Sequence, residues 1–305
     1  MGTRAAGAHV DASVADEASA RTRIEGELRR FVERLDTPAS LRDAIAYALL
    51  GGGKRVRPML AWRACEAMGA AGEHALPACL SVELIHAFSL VHDDLPAIDN
   101  DDLRRGRPTL HRHAGEAMAI LAGDAMLTLA VAPLVDEGIP AALSARLVRE
   151  VVSGTMGMIE GQVYDTLGGL DEADPGRAVE LIHARKTGAL IVASVRMGAM
   201  LAGRAGVEVR EPDLDALTRF GRDLGLLFQI VDDLIDVQQH PEHAGKATGK
   251  DAAAGKRTFP STFGVETSRA RAAELEASAL SAIAGFGSGA DGLRAMARGM
   301  SARTR

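Results

Sequence analysis

The 305-residue sequence has few aromatic residues and no excess of positive charge. Phe, Trp and Tyr make up 3% of the chain, and the formal net charge is -6 at pH 7. A protein that binds nucleic acid over a broad surface needs a basic stripe and aromatic side chains that stack on bases. The composition therefore argues against nucleic-acid binding, and any site for phosphate groups must be local.

Cysteine is also scarce, since only Cys65 and Cys79 are present. They are too few for a disulfide framework and do not have the spacing of metal ligands, so we expect a reducing, cytoplasmic compartment. No run of about 18 apolar residues is apparent, which argues against a membrane span. The first 23 residues lack the apolar core of a signal peptide and contain acidic residues that a transit peptide avoids.

We expect residues 1–23 to be a disordered leader and residues 24–305 to form a single domain, with two domains as the alternative at this length. Helical periodicity recurs along the chain, and 47% of its residues are hydrophobic, enough to bury a substantial core. The segment ALIVASV, from Ala189, fits either a strand or a buried helix. The pattern as a whole predicts an all-α fold.

The first acidic cluster lies in the stretch HDDLPAIDNDDLRRGRPT, residues 92–109. An amphipathic helix precedes it and delivers Asp93 at its end. Pro96 cannot continue the helix, so Asp99 must return from a loop. Asp93, Asp94 and Asp99 can therefore converge only if that loop folds back.

The second acidic cluster lies in FQIVDDLIDV, residues 228–237, where Gln229 and three aspartates share the polar face of a helix. Asp232 and Asp236 stand at i and i+4, which costs about 0.2–0.5 kcal/mol of repulsion in an isolated helix and asks for a compensating cation. Acidic ligands without nearby His or Cys favour Mg²⁺. The alternative for either cluster is a solvated helix face or a cap.

Basic residues stand near both acidic clusters. Glycines precede Lys54 and Arg57 in GGGKRVRP, a pattern that lets a chain approach an oxyanion closely. Guanidinium groups bind phosphate oxygens bidentately, as Arg104 and Arg105 could. For each of these cations the alternative is an exposed, solubilising side chain, and for His86 it is a core histidine with its hydrogen bonds satisfied.

These motifs, in this order, resemble the trans-isoprenyl diphosphate synthases, and within them the bacterial farnesyl diphosphate synthases. The resemblance covers nearly the whole chain and rests on GGGKRVRP, the two aspartate motifs, LAGDAML, the EGQ of residues 160–162, ARKTGAL and GKATGKDAAAGKRTFP. It implies a helical bundle around a deep central cavity, usually as a homodimer. The implied activity is a Mg²⁺-dependent prenyl transfer that condenses isopentenyl diphosphate with dimethylallyl or geranyl diphosphate to give farnesyl diphosphate and diphosphate.

The resemblance also assigns roles to individual residues. The aspartates would hold about two or three Mg²⁺ ions on the allylic diphosphate; they are Asp93, Asp94, Asp99, Asp232, Asp233 and Asp236. Contacts to the same diphosphate would come from Arg104, Lys186, Thr187, Gln229, Lys246 and Lys256. Isopentenyl diphosphate would be bound by Lys54, Arg57, His86 and Arg105. The catalytic set would then be Asp93, Asp94, Asp99, Asp232 and Lys186.

Other activities fit parts of this pattern. A geranylgeranyl or geranyl diphosphate synthase would share every motif. A terpene cyclase would have no use for an isopentenyl diphosphate site, and a non-catalytic subunit of a prenyl synthase would be expected to lack one aspartate motif. In this family, residues one turn before the first motif help to form the cavity floor, where this chain has Phe88 and Ser89. An aromatic floor resembles producers of fifteen-carbon chains; the alternative is that Phe88 is an ordinary core residue.

Replacing Phe88 with Ala is expected to deepen the cavity and to shift the products beyond fifteen carbons. The measurement is chromatography of dephosphorylated products made by the folded variant. An unchanged product profile in an active Phe88→Ala protein would contradict the assignment of Phe88 to the floor.

Overall fold

A computed structural model describes residues 5–170, 174–238 and 258–302, with side chains from Glu17 onward. The described chain is almost entirely helical, which confirms the predicted all-α fold. Its α-helices are α1 (Ala5–Glu33), α2 (Ala39–Leu49), α3 (Val56–Ala67), α4 (Leu76–Asp93), α5 (Leu110–Ala114), α6 (Glu116–Leu129), α7 (Ala141–Leu167), α8 (Pro175–His183), α9 (Ala189–Leu201), α10 (Glu211–Gln238), α11 (Phe259–Phe263), α12 (Val265–Ala282) and α13 (Asp291–Ser301). Short 3₁₀ turns lie at Gly72–Ala75, Ala132–Leu134, Ala202–Ala205 and Ser288–Ala290, and a π-helical turn spans Ala184–Gly188.

The core lies between the central helices, because each presents a stripe of fully buried aliphatic side chains to its neighbours. Leu60 of α3, Leu84 of α4 and Val195 of α9 are completely buried, as is Phe220 of α10. The ambiguous segment from Ala189 is therefore a helix, α9, whose apolar residues pack on more than one side. Burial of these side chains, at about 1.5–3 kcal/mol each, is the main source of stability for such a bundle.

The loop after α4 folds back on itself, as the position of Pro96 required. The amide of Asp99 donates to the carbonyl of Asp93 at 2.8 Å, and that of Asp101 donates to the carbonyl of Asp94 at 3.2 Å. A two-stranded antiparallel ribbon follows, with β1 (Leu103–Arg104) paired to β2 (Arg107–Pro108). Loop and ribbon together keep the first acidic cluster and its arginines at the end of α4.

The N-terminal segment differs from the expected leader. Helix α1 runs through residue 23 without a break, and Ala20 and Ile24 on either side of that position are 3% and 1% exposed. These two residues belong to a short apolar stripe of α1 that packs against the core. The stripe is hard to recognise in the sequence because its neighbours are small and polar. The assignment of residues 24–305 to a single domain stays a prediction.

The expectation that the chain has no membrane span stays a prediction. Three helical segments are long and apolar enough to cross a membrane by length and composition alone: Gly72–Asp93, Glu116–Leu134 and Pro175–Ala205. The first and the third are each 67% buried inside the protein, which accounts for their hydropathy. The segment Glu116–Leu134 is only 33% buried and exposes Ile120 and Leu121.

Helices α3 and α9 approach closely because Gly198 has no side chain. A Cβ at this position would overlap the carbonyl oxygen of Ala61 and lie 2.7 Å from its Cα. Only glycine therefore allows the two backbones to pack at this distance.

Replacing Gly198 with Ala is expected to lower the free energy of unfolding by about 1–3 kcal/mol, because the helices must separate to accommodate the methyl group. Gly299 of α13 is a matched control, since a Cβ there would meet no atom within 4 Å. Gly299→Ala should be neutral or stabilising by up to about 1 kcal/mol. Urea denaturation measures both changes, and equal stability of the two variants would contradict the packing argument.

Candidate active site

A cavity of about 1260 Å³ lies in the bundle and collects residues from most of the predicted motifs. Its walls come from the middle of α1, the glycine loop and the start of α3, α4 with the loop and ribbon after it, α6, α7, the π-helical turn and α10. Residues predicted from the sequence that line it are Lys54, Arg57, His86, Phe88, Ser89, Asp93, Arg104, Arg105, Lys186, Thr187, Gln229 and Asp232. Residues as distant in the sequence as Lys54 and Asp232 thus share one site, while their roles in catalysis stay predictions.

Asp93 and Asp232 bring one carboxylate from each acidic cluster to the cavity wall. Burial raises the pKa of Asp93 to about 6; the charges of Asp99 and Asp94 act in the same direction, whereas Lys186 and Arg104 oppose it. The charged form of a carboxylate is unfavourable in such surroundings, and a bound cation would stabilise it.

Asp94 points away from Asp93 although the two are adjacent. It is 2% exposed, and its carboxylate oxygens accept hydrogen bonds from Nε and Nη2 of Arg104 at 2.6–3.0 Å. Both oxygens are therefore engaged by a guanidinium fork, which does not fit the predicted role of Asp94 as a metal ligand. Arg104 also lines the cavity, so the pair fixes an arginine at the wall.

Asp233 likewise turns away from Asp232. It is 7% exposed, and its Oδ2 accepts a hydrogen bond from the amide of Phe259 at 2.8 Å and lies 3.6 Å from Nε2 of His183. These contacts anchor the start of α11 to α10, which does not fit a metal ligand either. Asp236 is half-buried, one helical turn after Asp232, and is absent from the cavity wall.

The carboxylates at the cavity fit a Mg²⁺ ion that takes most of its ligands from the substrate. Within the described residues, no group of three His, Cys, Asp or Glu side chains could hold a metal ion by itself. Mg²⁺ is usually bound by one or two carboxylates together with substrate phosphates and water. Asp93 and Asp232 at one cavity match that requirement, with Asp99 close enough to raise the pKa of Asp93.

A second part of the wall is basic and comes from the glycine loop, the start of α3, α4 and the ribbon. Arg105 has a positive φ of 54° and donates a hydrogen bond to the carbonyl of Gly52. The Arg57 side chain lines the cavity, and its buried Nε has no hydrogen-bond partner among the described residues. Burial, together with the charges of Arg57 and Arg105, holds the pKa of His86 well below its usual value, so His86 is neutral. This cluster can bind a diphosphate by charge and hydrogen bonding.

The π-helical turn places Lys186 and Thr187 beside the acidic wall. Gly161 of α7 and Gly225 of α10 face this turn, and a Cβ on either would overlap the backbone of Lys186 or Gly188. Nζ of Lys186 contacts Oδ2 of Asp165 at 2.5 Å, and Oγ1 of Thr187 donates to Oε1 of Gln229. Residues from two distant motifs thus meet, as the resemblance implied.

Several residues at the site were missed by the sequence reasoning. Arg55, 3% exposed, is held between Glu25 at 2.7 Å and Glu83 at 2.5 Å, and Arg21 also lines the cavity. No local pattern indicates these contacts, because the partners come from separate helices. Gln162 belongs to the EGQ motif, but the sequence assigns it no role. It lines the cavity, and its Oε1 is buried with no partner among the described residues. Lys246 and Lys256 lie outside the described residues.

Phe88 is both buried and part of the cavity wall, at 7% exposure. It precedes Asp93 by five residues on α4, which separates the two Cα atoms by about 7.5 Å along the helix axis. Its ring meets that of His92 edge-on at 5.0 Å between centroids. His92 in turn packs on Gly123 of the LAGDAML motif, where a Cβ would overlap its ring.

Comparison with known sequences identifies relatives over most of the chain. The family model described as polyprenyl synthetase matches residues 38–282. Geranylgeranyl pyrophosphate synthase 7, chloroplastic, of Arabidopsis thaliana is 44% identical over 86% of this chain and 78% of its own. The chloroplastic geranylgeranyl pyrophosphate synthase of Capsicum annuum is 44% identical over 82% and 68%.

Solved structures share the same architecture. Geranyltransferase from Legionella pneumophila superposes with a TM-score of 0.83 at 32% identity, covering 96% of this chain and 98% of its own. An FPP/GFPP synthase from Zymomonas mobilis has a TM-score of 0.80 at 34% identity, with 94% and 99% covered. Geranylgeranyl pyrophosphate synthetase from Pyrococcus horikoshii has a TM-score of 0.82 at 27% identity, with 96% and 99% covered.

Replacing Asp93 with Asn is expected to stabilise the metal-free protein and to abolish its activity. Because the pKa of Asp93 is raised to about 6 in the folded state, its charged form destabilises the fold, and this loss develops as pH rises from about 4 to about 6. The asparagine side chain carries no charge, so the gain should be about 1–2 kcal/mol at pH 8 and smaller at pH 5. Urea denaturation in EDTA at both pH values measures it; an equal or lower stability at pH 8 would contradict the electrostatic argument.

Proposed function

The chain belongs to the polyprenyl synthetase family, and we propose that it extends an allylic diphosphate with isopentenyl diphosphate as far as geranylgeranyl diphosphate. Its activity as a prenyltransferase follows from the family and from its relatives. The length of the product, twenty carbons, is a more specific proposal than prenyltransferase activity. The observation that supports it is the 44% identity to synthases from Arabidopsis thaliana and Capsicum annuum whose names specify geranylgeranyl pyrophosphate.

The two parts of the cavity wall suit two diphosphates. Asp93 and Asp232 would hold Mg²⁺ on the allylic diphosphate, with Asp99 close by, while Lys186 and Arg104 add positive charge on the same side. The bound metal would supply Lewis acidity that neutralises the departing diphosphate. Lys54, Arg57 and Arg105 would bind the diphosphate of isopentenyl diphosphate, with neutral His86 as a further hydrogen-bonding group.

The chemistry requires orientation and a dry environment more than a proton-transfer residue. Departure of the diphosphate leaves an allylic cation, which must meet the isopentenyl double bond before water does. The new carbon–carbon bond moves the positive charge onto the former isopentenyl unit, and loss of a proton from that unit to the departing diphosphate would complete the five-carbon extension. Preorganised lysine and arginine side chains stabilise the charge that develops on the leaving group. Apolar side chains such as Phe88, Leu127 and Met158 line the same cavity and exclude water from the growing chain.

A farnesyl diphosphate synthase is the second candidate, and the position of Phe88 favours it. The aromatic ring borders the cavity only about 7.5 Å along α4 from Asp93, where it would limit the length of the product. Solved relatives are named as a putative farnesyl-diphosphate synthase and as a geranylgeranyl pyrophosphate synthetase, so the fold itself accommodates either product.

We also propose a homodimer. Helix α6 exposes Ile120 and Leu121, at 45% and 58%, on a segment whose composition is strongly apolar. A second copy covering this face would remove the exposed apolar surface from water. An Arabidopsis thaliana relative, 44% identical, is named as the large subunit of a heterodimeric synthase. Sedimentation of the purified protein measures its oligomeric state directly.

The decisive experiment supplies purified protein with Mg²⁺, radiolabelled isopentenyl diphosphate and dimethylallyl, geranyl or farnesyl diphosphate in turn. We expect a twenty-carbon product from all three and direct use of farnesyl diphosphate as an allylic substrate. Asp232→Asn is the inactive control, because it removes a cavity carboxylate from an exposed position on α10 without changing side-chain shape.

The outcomes separate the candidates. Accumulation of the fifteen-carbon product, with no incorporation when farnesyl diphosphate is supplied, would replace the geranylgeranyl assignment with the farnesyl one. No incorporation from any allylic substrate by a folded protein would overturn the proposed reaction and point to a non-catalytic subunit.

A further inference from the structure

The second half of α1 is fixed to the body of the protein beside the basic wall. Ile24 and Leu28 are 1% and 0% exposed, and Glu25 forms an ion pair with the buried Arg55 at 2.7 Å. Arg55 immediately follows Lys54 of the glycine loop. The helix therefore presents its side chains to that loop from a fixed position.

Arg21, one turn before Glu25, reaches the mouth of the cavity. Its Nη2 donates a hydrogen bond to the carbonyl of Gly53 at 2.5 Å, and the side chain lines the same cavity as Lys54 and Arg57. Arginine carries five N–H donors, so one contact with a carbonyl leaves most of its hydrogen-bonding capacity for another ligand. Arg21 is exposed, so a ligand at the mouth can reach it.

The local charge indicates what that ligand is. Arg21, Lys54, Arg57 and Arg105 contribute positive charge to one region of the wall. Glu83, an acidic residue on the same cavity, is buried and already paired with Arg55 at 2.5 Å. Such an excess of cations matches a multiply charged anion, and a diphosphate offers enough oxygens to engage several of them.

We infer that Arg21 is a further binding residue for the diphosphate of isopentenyl diphosphate, an inference that rests on the proposed function. The match to the family model begins at residue 38, so Arg21 lies outside the region that defines the family. Its contact with Gly53 places it with Lys54 rather than with Asp93, Asp232 and Lys186. The segment expected from sequence to be a leader thus completes a substrate site.

Steady-state kinetics of Arg21→Gln and Arg21→Lys test the inference. Glutamine retains an N–H donor for the carbonyl of Gly53 but has no charge, whereas lysine retains the charge. We expect Arg21→Gln to raise the KM for isopentenyl diphosphate about fivefold, with kcat and the KM of the allylic substrate unchanged. Arg21→Lys keeps the charge but loses the guanidinium fork, so its KM for isopentenyl diphosphate should fall between those of the wild type and Arg21→Gln.

Arg23→Ala is the matched control, because Arg23 lies on the same helix but pairs with Glu73 at 2.9 Å and is 59% exposed. It should leave the KM for isopentenyl diphosphate unchanged. Calorimetric titration with isopentenyl diphosphate alone should show the same weakening, about fivefold, in Arg21→Gln as a change in Kd.

An Arg21→Gln protein with wild-type KM and Kd for isopentenyl diphosphate would overturn the inference. So would an equal rise in the KM of the allylic substrate, which would indicate a general disturbance of the cavity. If the wild type incorporates no label, the proposed function fails, yet the titration still decides whether Arg21 binds isopentenyl diphosphate.

Discussion

Charged groups of one sign lie close together inside an apolar helical bundle, and the arrangement of the site depends on how that repulsion is balanced. Asp93 shows the cost, since burial and its acidic neighbours raise its pKa to about 6. The protein supplies part of the balance itself through ion pairs between Arg104 and Asp94, and between Lys186 and Asp165. These pairs hold basic side chains at the wall, which Asp93 and Asp232 also line.

The helices that carry these charged side chains also pack closely against one another. The π-helical turn at Ala184–Gly188 fits between α7 and α10 because Gly161 and Gly225 present no side chain to it. Gly198 has the same effect between α3 and α9. Close approach at Gly161 and Gly225 packs the backbone that carries Lys186 and Thr187 directly against α7 and against α10, which carries Gln229.

The buried Arg55 links the N-terminal helix to the substrate cavity. Its guanidinium is shared by Glu25 of α1 and Glu83 of α4, so removing either carboxylate would leave a buried charge with half of its partners. We expect a buried ion pair of this kind to add little net stability over an apolar contact and to act mainly by fixing the register of the elements that meet there. Here those elements are α1, α4 and the glycine loop that carries Lys54.

The amino-acid sequence by itself determined the helical fold, the stripes that form the core, the end of α4 before Pro96 and the residue types of the site, because each depends on neighbours within one or two helical turns. It did not determine which of two adjacent aspartates faces the cavity. Successive residues on a helix point about 100° apart, so Asp93 and Asp94, or Asp232 and Asp233, are equivalent in a motif but not in space. Packing against Arg104 and Phe259 turned Asp94 and Asp233 away from the cavity. Only tertiary structure could bring Arg21 and Glu25 to the glycine loop, because those contacts join segments separated by about thirty residues and leave no local pattern in the sequence.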